Sequence, residues 1–338
     1  MPTQGGAYIA PFAMHATFKI AHRARSGHGC ATQNDFFGCG DPMPLVPMSQ
    51  LLAEAQHGGY AVCYCEAWNL ESLQAVVEAA EEADSPVITG FNGGFLCRPE
   101  RSKPENLAYY AGMALALRGT SVPVAFLLNE TDDPSQIEQG IRMGFNAIMV
   151  ENERLGVEAY RELVRKTVQL AHIAGVSVEA ALGRLPDASG GIHGDPELTD
   201  PAAAHCFTRD TGIDALGVSV GNVHILTKGK VAIDLDALER IHDAVQVPLV
   251  LHGGTGITPE HIPRCVRLGV TKVNFGTVLK QVYLAAIQER LAQYHEPLSP
   301  HPFVGMGGGH DILMAGREAV KRKARELMAQ CGSVGKTG

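Results

Sequence analysis

The chain has no run of basic residues, and its formal net charge is −8 at neutral pH. Both features argue against nucleic acid as a main partner. No apolar stretch reaches the roughly 18 residues that span a bilayer, so no membrane partner is expected. The opening residues, MPTQGGAYIAPFAMHATFK, lack a basic region followed by a long apolar core, and no secretory signal is read there. The eight cysteines, at 30, 39, 63, 65, 97, 206, 265 and 331, form no CxxC pair and no disulfide-framework spacing. They read as buried, reduced thiols of a cytoplasmic protein, with a cysteine-based zinc site as the alternative. Cys63 and Cys65 alternate along one strand-like run and so point to one face. With 45% hydrophobic and 19% charged residues, the composition is that of an ordinary soluble globular chain.

The most informative stretch is VPLVLHGGTGI, residues 247–257. Its apolar, β-favouring run ends in His252 and meets Gly253, Gly254 and Thr255 at once. This predicts a buried strand that delivers a histidine to its C-terminal end, then a glycine turn with free backbone N–H groups. Imidazole can hold a metal, and such a turn can cradle a phosphate. A weaker copy, DALGVSVGNVHILTK, places His224 and then Lys228 beyond another strand. Metal and phosphate are therefore expected in one pocket.

Strand-like runs alternate with amphipathic helical runs eight times. The strands are expected near 60–65, 86–90, 122–128, 147–151, 176–180, 214–220, 248–252 and 271–275. In NLESLQAVVEAAEEA, Asn69 is the expected N-cap, and Leu70, Leu73, Val77 and Ala80 the inward stripe. Eight β–α units predict an α/β fold, a (β/α)8 TIM barrel over residues 43–338, with a doubly wound sheet as the alternative. In a barrel, function sits at the C-terminal ends of strands, which is where His224 and His252 fall. Residues 1–42 break the rhythm and read as an N-terminal extension or arm, packed on the barrel or on a neighbouring subunit, or acting as a lid. The Gly-rich segment 184–201 follows strand five and reads as a mobile active-site loop.

Several blocks, in order, carry a family resemblance: GGYAVCYCEAWNLESLQAVVEAAEEADSPVI, VPVAFLLNETDDPSQIEQGIRMGFNAIMVE, GVSVEAALGRL, TGIDALGVSVGNVH, VPLVLHGGTGI, GVTKVNFGTVLK and REAVKRKARELMAQCGSVGK. From about Met43 onward the chain resembles the class II, metal-dependent fructose- and tagatose-bisphosphate aldolases. The resemblance implies a divalent metal, usually zinc, on three histidines at strand ends. That metal polarises a ketose carbonyl and stabilises the enediolate left by carbon–carbon cleavage. It also implies a homodimer or homotetramer and a small, phosphorylated or anionic sugar as substrate.

Two histidines of that set are kept, as His224 and His252. The third lies in a block that the family writes His-Leu-Asp-His-Gly and this chain writes Leu127, Leu128, Asn129, Glu130, Thr131. Glu130 thus stands in for a histidine. Two histidines and a carboxylate form a known catalytic set, which suits zinc and also Mn2+, Fe2+ or Co2+. The family's catalytic aspartate becomes Asn129, whose amide cannot accept a proton. Either another carboxylate serves, with Asp132 and Asp133 on the same loop and Asp187 in the loop after strand five as the candidates, or the chemistry differs. Asp187, Ser189 and His193 are also the nearest matches to a glutamate that the family carries on that later loop. The phosphate end is better kept. Gly253, Gly254, Thr255, Asn274 and Thr277 match the family's anion-binding positions, and Lys228 matches a lysine near the same phosphate. Ile225 replaces a glycine, Gly276 an aspartate of fructose-specific members, His310 the arginine of the distal phosphate, and Asn92 falls near a serine. These changes predict an aldolase-type lyase acting on a ketose other than fructose 1,6-bisphosphate. A sugar-phosphate isomerase or epimerase, or a non-catalytic ligand-binding relative, stays open.

Overall fold

The computed structural model describes residues 45–152, 154–188 and 197–337. The extension read over 1–42, with Cys30 and Cys39, lies outside the described residues, as do Ser189 and His193. Eight strands form a closed parallel barrel in sequence order. They are β1 (Val62–Glu66), β2 (Val87–Asn92), β3 (Val124–Thr131), β4 (Ala147–Val150), β5 (Ser177–Leu182), β6 (Ala215–Val218), β7 (Leu249–Leu251) and β8 (Val270–Phe275). The fold is a TIM barrel; the doubly wound alternative, an open sheet, is excluded by the β1–β8 pairing.

The helices are α1 (Met48–Gly58), α2 (Leu70–Glu82), α3 (Gly93–Leu96), α4 (Leu107–Leu117), α5 (Pro134–Met143), α6 (Val157–Ile173), α7 (Pro201–Thr211), α8 (Leu235–Ala244), α9 (Ile262–Arg267), α10 (Thr277–Leu291) and α11 (Ile312–Cys331). Local chemistry sets their ends. Asn69 caps α2 reciprocally: its side chain accepts from Ser72 N, and Ser72 Oγ accepts from Asn69 N. Asp133 and Asp200 cap α5 and α7, each followed by proline, and a left-handed glycine ends both helices, Gly144 and Gly212. The inward stripe of α2 differs from the expected one. Leu73 and Ala80 are buried as expected, but Leu70 is half exposed and Val77 only partly buried, and Val76 and Ala79 complete the stripe instead. Leu70 is the first helical residue, where the chain is still arriving from the pocket side of the barrel.

Two apolar layers result from strand alternation. Outward residues such as Cys63, Cys65, Val87 and Phe126 pack beneath the helices. Inward residues Val62, Tyr64, Ile88, Leu127, Met149 and Val250 fill the barrel together with Met48, Leu51, Leu52 and Ala55 of α1. α1 therefore plugs the mouth at which strands begin: Ser49 N donates to Ser177 Oγ at the start of β5, and Val46 N to Val124 O at the start of β3. The opposite mouth is left for chemistry. α11 packs on α2 and α10, and the last turn of the chain is tied to the first unit. Ala61 N donates to Cys331 O, Gly335 N to Ala83 O and Lys336 N to Asp84 O. The thiol expectation needs adjustment, because Cys97 is exposed and Cys206 half-buried, whereas Cys63, Cys65, Cys265 and Cys331 are buried and free. Among the described residues no helix is long and apolar enough to cross a membrane.

Candidate metal centre and active site

β3 runs through Thr131, three residues past its expected end, and its register with β4 breaks between Leu128 and Thr131. Neighbouring strand residues normally face opposite ways. Here the irregularity, with Glu130 in the left-handed region at φ 51°, lets Asn129 and Glu130 both reach one pocket. That pocket, about 1000 Å³, sits at the C-terminal mouth of the barrel.

Glu130, His224 and His252 meet there, each offering a ligand atom within 4.8 Å of the others. They form the only such cluster of histidine, cysteine and acidic groups among the described residues. Glu130 Oε1 lies 3.5 Å from His224 Nε2 and 3.7 Å from His252 Nδ1. Its carboxylate is oriented by amides: Asn129 Nδ2 donates to Oε1 at 2.8 Å, and Asn92 Nδ2 donates to Oε2. His252 is fixed from behind. Its Nε2 donates to Glu179 Oε1 at 2.8 Å, which turns Nδ1 toward Glu130. Glu179 is fully buried and pairs with Lys272 Nζ at 2.8 Å, inside the barrel. Lys272 Nζ also donates to Asn274 Oδ1 at 2.7 Å, and Asn274 Nδ2 lies 3.2 Å from His252 Nδ1.

Charge balance follows from this geometry. Burial alone would raise the Glu130 carboxyl, but His224 first, and then His252, hold it well below the usual range. Burial alone would lower His224; the Glu130 carboxylate beside it overrides that and pushes it up to about 9. His252 moves up too, against its burial, because Glu130 and Glu179 flank it. Without a metal the cluster thus holds protons that a metal would displace. The donor set, one carboxylate held by the Asn92 and Asn129 amides and two imidazoles, one of them backed by Glu179, fits a divalent ion with positions left for substrate. A buried acceptor supports the same reading. Asn129 Oδ1 has no partner within the protein, yet its residue lines the pocket.

The anion side is built from the β7 and β8 ends. Gly253 has φ 69°, and a Cβ there would lie 2.1 Å from Val223 O, so only glycine fits the turn. Gly253 and Thr255 face the pocket, while Gly254 is buried behind the turn rather than on the pocket wall. Thr255 Oγ1 accepts from Val278 N at 3.2 Å, bringing the turn against the N-terminus of α10, where Thr277 is the first residue. Asn274 and Thr277 line the same pocket. Backbone N–H groups at a helix start are of the kind that can bind an anion.

Other sequence-derived candidates fare unequally. Asp187 lines the pocket, and its segment is pinned to the metal side: His224 N donates to Pro186 O and Ala188 N to His224 O, each at 2.9 Å. The described start of the 184–201 loop is thus tethered, not loose. Asp132 and Asp133 line the pocket too, while Asp133 accepts from Ser135 N as the cap of α5 and Asp132 accepts from Asn152 Nδ2. Lys228 is exposed and lies off the pocket; two residues on, Lys230 Nζ donates to Thr255 O instead. The lysine that lines the pocket is Lys280, paired with Glu66 at 2.7 Å. His310 is exposed, set against Phe303, and also lies off the pocket.

Glu66, Lys280, Glu179 and Lys272 escaped the sequence reading. Their signal was a lone charge in an otherwise apolar strand for Glu179 and Lys272, since such charges are buried only when paired. Glu66 also explains Gly276. A Cβ on residue 276 would lie 2.3 Å from Glu66 Oε2, so the carboxylate fills the space a side chain would take. Burial pushes Glu66 up, and the Lys280 ammonium offsets only part of this.

The protein-family model described as Fructose-bisphosphate aldolase class-II matches residues 46–336. The chain belongs to the class II fructose-bisphosphate aldolase family. Among solved structures it is similar to the YdjI aldolase from Escherichia coli K12, at 30% identity and TM-score 0.71, over 87% of this chain and 100% of that one. It is also similar to a candidate fructose-1,6-bisphosphate aldolase from Coccidioides immitis, at 26% identity and TM-score 0.71, over 86% and 97%. The fructose-bisphosphate aldolase from Campylobacter jejuni shares the fold, at 18% identity and TM-score 0.68, over 87% and 97%. Membership of this aldolase family supports an aldolase-type lyase; the family is typically metal-dependent, in line with the Glu130–His224–His252 cluster.

Proposed function

We propose that the protein is a metal-dependent aldolase-type lyase for a phosphorylated or anionic ketose other than fructose 1,6-bisphosphate. The convergence of Glu130, His224 and His252 is the observation that carries this reading. Those residues would hold a divalent cation, with zinc first and Mn2+, Fe2+ or Co2+ as alternatives. When bound, it supplies a Lewis acid for the ketose carbonyl and for the charge that develops on cleavage. Gly253, Thr255, Asn274 and Thr277 bind the substrate's anion, and Gly254 shapes the turn behind them. Lys228, off the pocket, is left out of that set. Asn129 orients a substrate hydroxyl through Oδ1, its buried acceptor without a protein partner. An amide cannot take that hydroxyl's proton, so a carboxylate must; Asp187, on the pinned loop beside His224, is assigned the task. Asn129, the Glu66 carboxylate over Gly276 and His310 lying off the pocket support a substrate other than the fructose bisphosphate. A homodimer or homotetramer in the cytoplasm completes the reading.

The test is metal content by elemental mass spectrometry, then carbon–carbon cleavage of ketose phosphates, for the wild type and Glu130→Ala. About one equivalent of metal and measurable cleavage, both sharply reduced in the variant, are expected. Activity unchanged in the variant sinks the ligand assignment. Solvent-proton exchange at the substrate's α-carbon without cleavage replaces the lyase with an isomerase or epimerase. Failure to bind any divalent metal points to a non-catalytic binding protein.

A further inference from the structure

Beside the main pocket lies a second cavity of about 440 Å³, at the ends of β1 and β2 and the first turns of α10. Trp68, Phe91, Phe95, Tyr110, Tyr283 and Leu284 line it. This is a concentration of rings in a chain with 6% aromatics and one tryptophan. The walls are ordered edge to face, with Trp68 on Tyr283 at 5.3 Å and Phe91 on Tyr110 at 4.9 Å. The Tyr283 hydroxyl is held as well, accepting from Asn69 Nδ2 at 3.0 Å. Rigid aromatic walls lose little freedom when they take a ligand, and the volume is that of a small-molecule site.

The charges lining the cavity are already matched. Lys280 pairs with Glu66, and its ammonium lies 4.8 Å from the Phe95 ring centre; Arg101 pairs with Glu105. A phosphate entering here would have to break one of these pairs, whereas a neutral apolar group need not. The cavity is also continuous with the main pocket, for Glu66, Asn92, Phe95 and Lys280 line both. Asn92 is the residue that donates to Glu130. One amide side chain therefore separates the carboxylate of the metal cluster from the aromatic box.

We propose that this cavity binds a neutral, apolar end of the substrate, an alkyl, deoxy or aryl terminus remote from the anion held at the Gly253 turn. As a statement about substrate it rests on the lyase reading of the adjoining pocket; as a binding site it stands by itself. Trp68, the only tryptophan, lies in the wall, so its emission reports occupancy. The probe is hexane-1,2-diol, an unreactive diol with an aliphatic tail, titrated into the full chain with glycerol as the polar control. A saturable change with the diol and none with glycerol is expected. The same change is expected in His252→Ala, which removes the metal cluster and leaves the cavity. In Leu284→Glu, which places a carboxylate at a well-exposed wall position, binding should weaken about tenfold or more. A response that does not saturate, that glycerol reproduces, or that Leu284→Glu leaves unchanged overturns the proposal. Saturable binding in a protein that takes no metal would leave the cavity assigned and the lyase reading failed; metal-dependent cleavage without a Trp68 response would do the reverse.

Discussion

The pocket has two sides that solve the same backbone problem differently. On the anion side, the turn after β7 needs a left-handed residue, and glycine supplies it at Gly253. On the metal side, Glu130 and Ile225 both sit at φ 51°, a region that costs a side-chain-bearing residue about 1–2 kcal/mol. Ile225 is β-branched and follows His224 directly, where the resembling family has glycine. One side has kept the residues that relax its geometry; the other holds its geometry against local preference. Strain of this kind survives where surrounding contacts over-determine the backbone. Here those contacts are the amides of Asn92 and Asn129 on Glu130, and the Pro186 and Ala188 hydrogen bonds around His224.

The sharpest way to break this contrast is from beneath, at the ion pair that supports both sides. Glu179→Gln leaves Lys272 buried without its carboxylate, and we expect a loss of about 3–5 kcal/mol in denaturant unfolding. The same variant replaces the carboxylate that orients His252 Nε2 by a neutral amide, a weaker acceptor, so metal affinity should fall about 10–100-fold. Undiminished stability would mean that the Lys272 charge is relieved elsewhere. Next comes Gly253→Ala, which drives a Cβ into Val223 O on a left-handed backbone. A cost of about 2–4 kcal/mol, read as a lowered thermal midpoint, is expected.

Metal affinity should also depend on pH, and on the metal side alone. His224 must be neutral to ligate, and its pKa in the metal-free fold is about 9. Affinity is therefore expected to fall by about tenfold per pH unit below that value from this one proton, and to level off above it. Competition against a chromophoric chelator across pH measures this, and a flat profile rejects it. The metal-free fold carries the reciprocal effect. His224 binds its proton more tightly folded than unfolded, so its stabilising contribution is complete below about pH 6.5 and is lost as pH rises through about 9. The smallest effect sharpens the comparison from the other direction. Ile225→Gly releases the left-handed strain but adds chain entropy, so a net stabilisation of about 0.5–1 kcal/mol is expected in the same unfolding assay. A destabilised variant would show that the Ile225 side chain, not its backbone, holds His224 in place.

Much of this was legible in the residues. Strand and helix periods were strong enough to count eight units, and a strand end followed by glycine marked both His252 and the anion turn. The place of Glu130 beside His224 and His252 was readable because a carboxylate can stand where an imidazole would without changing the number of donors. The rest needed three dimensions. Glu179 and Lys272 sit 93 positions apart and matter only because the barrel's closure turns both inward. Gly276 looked like a lost aspartate until Glu66, from the far side of the β1–β8 seam, was found in its space. Lys228 failed for the opposite reason. Position in an aligned block placed it, but the loop over 227–230 is exposed and Lys228 does not line the pocket.

The seam has a consequence for how the molecule comes into being. β1 finds its second neighbour in β8, more than 200 residues later, and the backbone of Ala61 waits for the carbonyl of Cys331 at the end of α11. A chain emerging from a ribosome can assemble successive β–α units but cannot seal the ring until β8 is free, nor tie Ala61 down until the end of α11 follows. Until then the edges of β1 and β7 stand open, and the nascent protein is at its most vulnerable to pairing with a stranger. Loss of the few residues around Cys331 to Lys336 should therefore show first in the yield of soluble protein during synthesis.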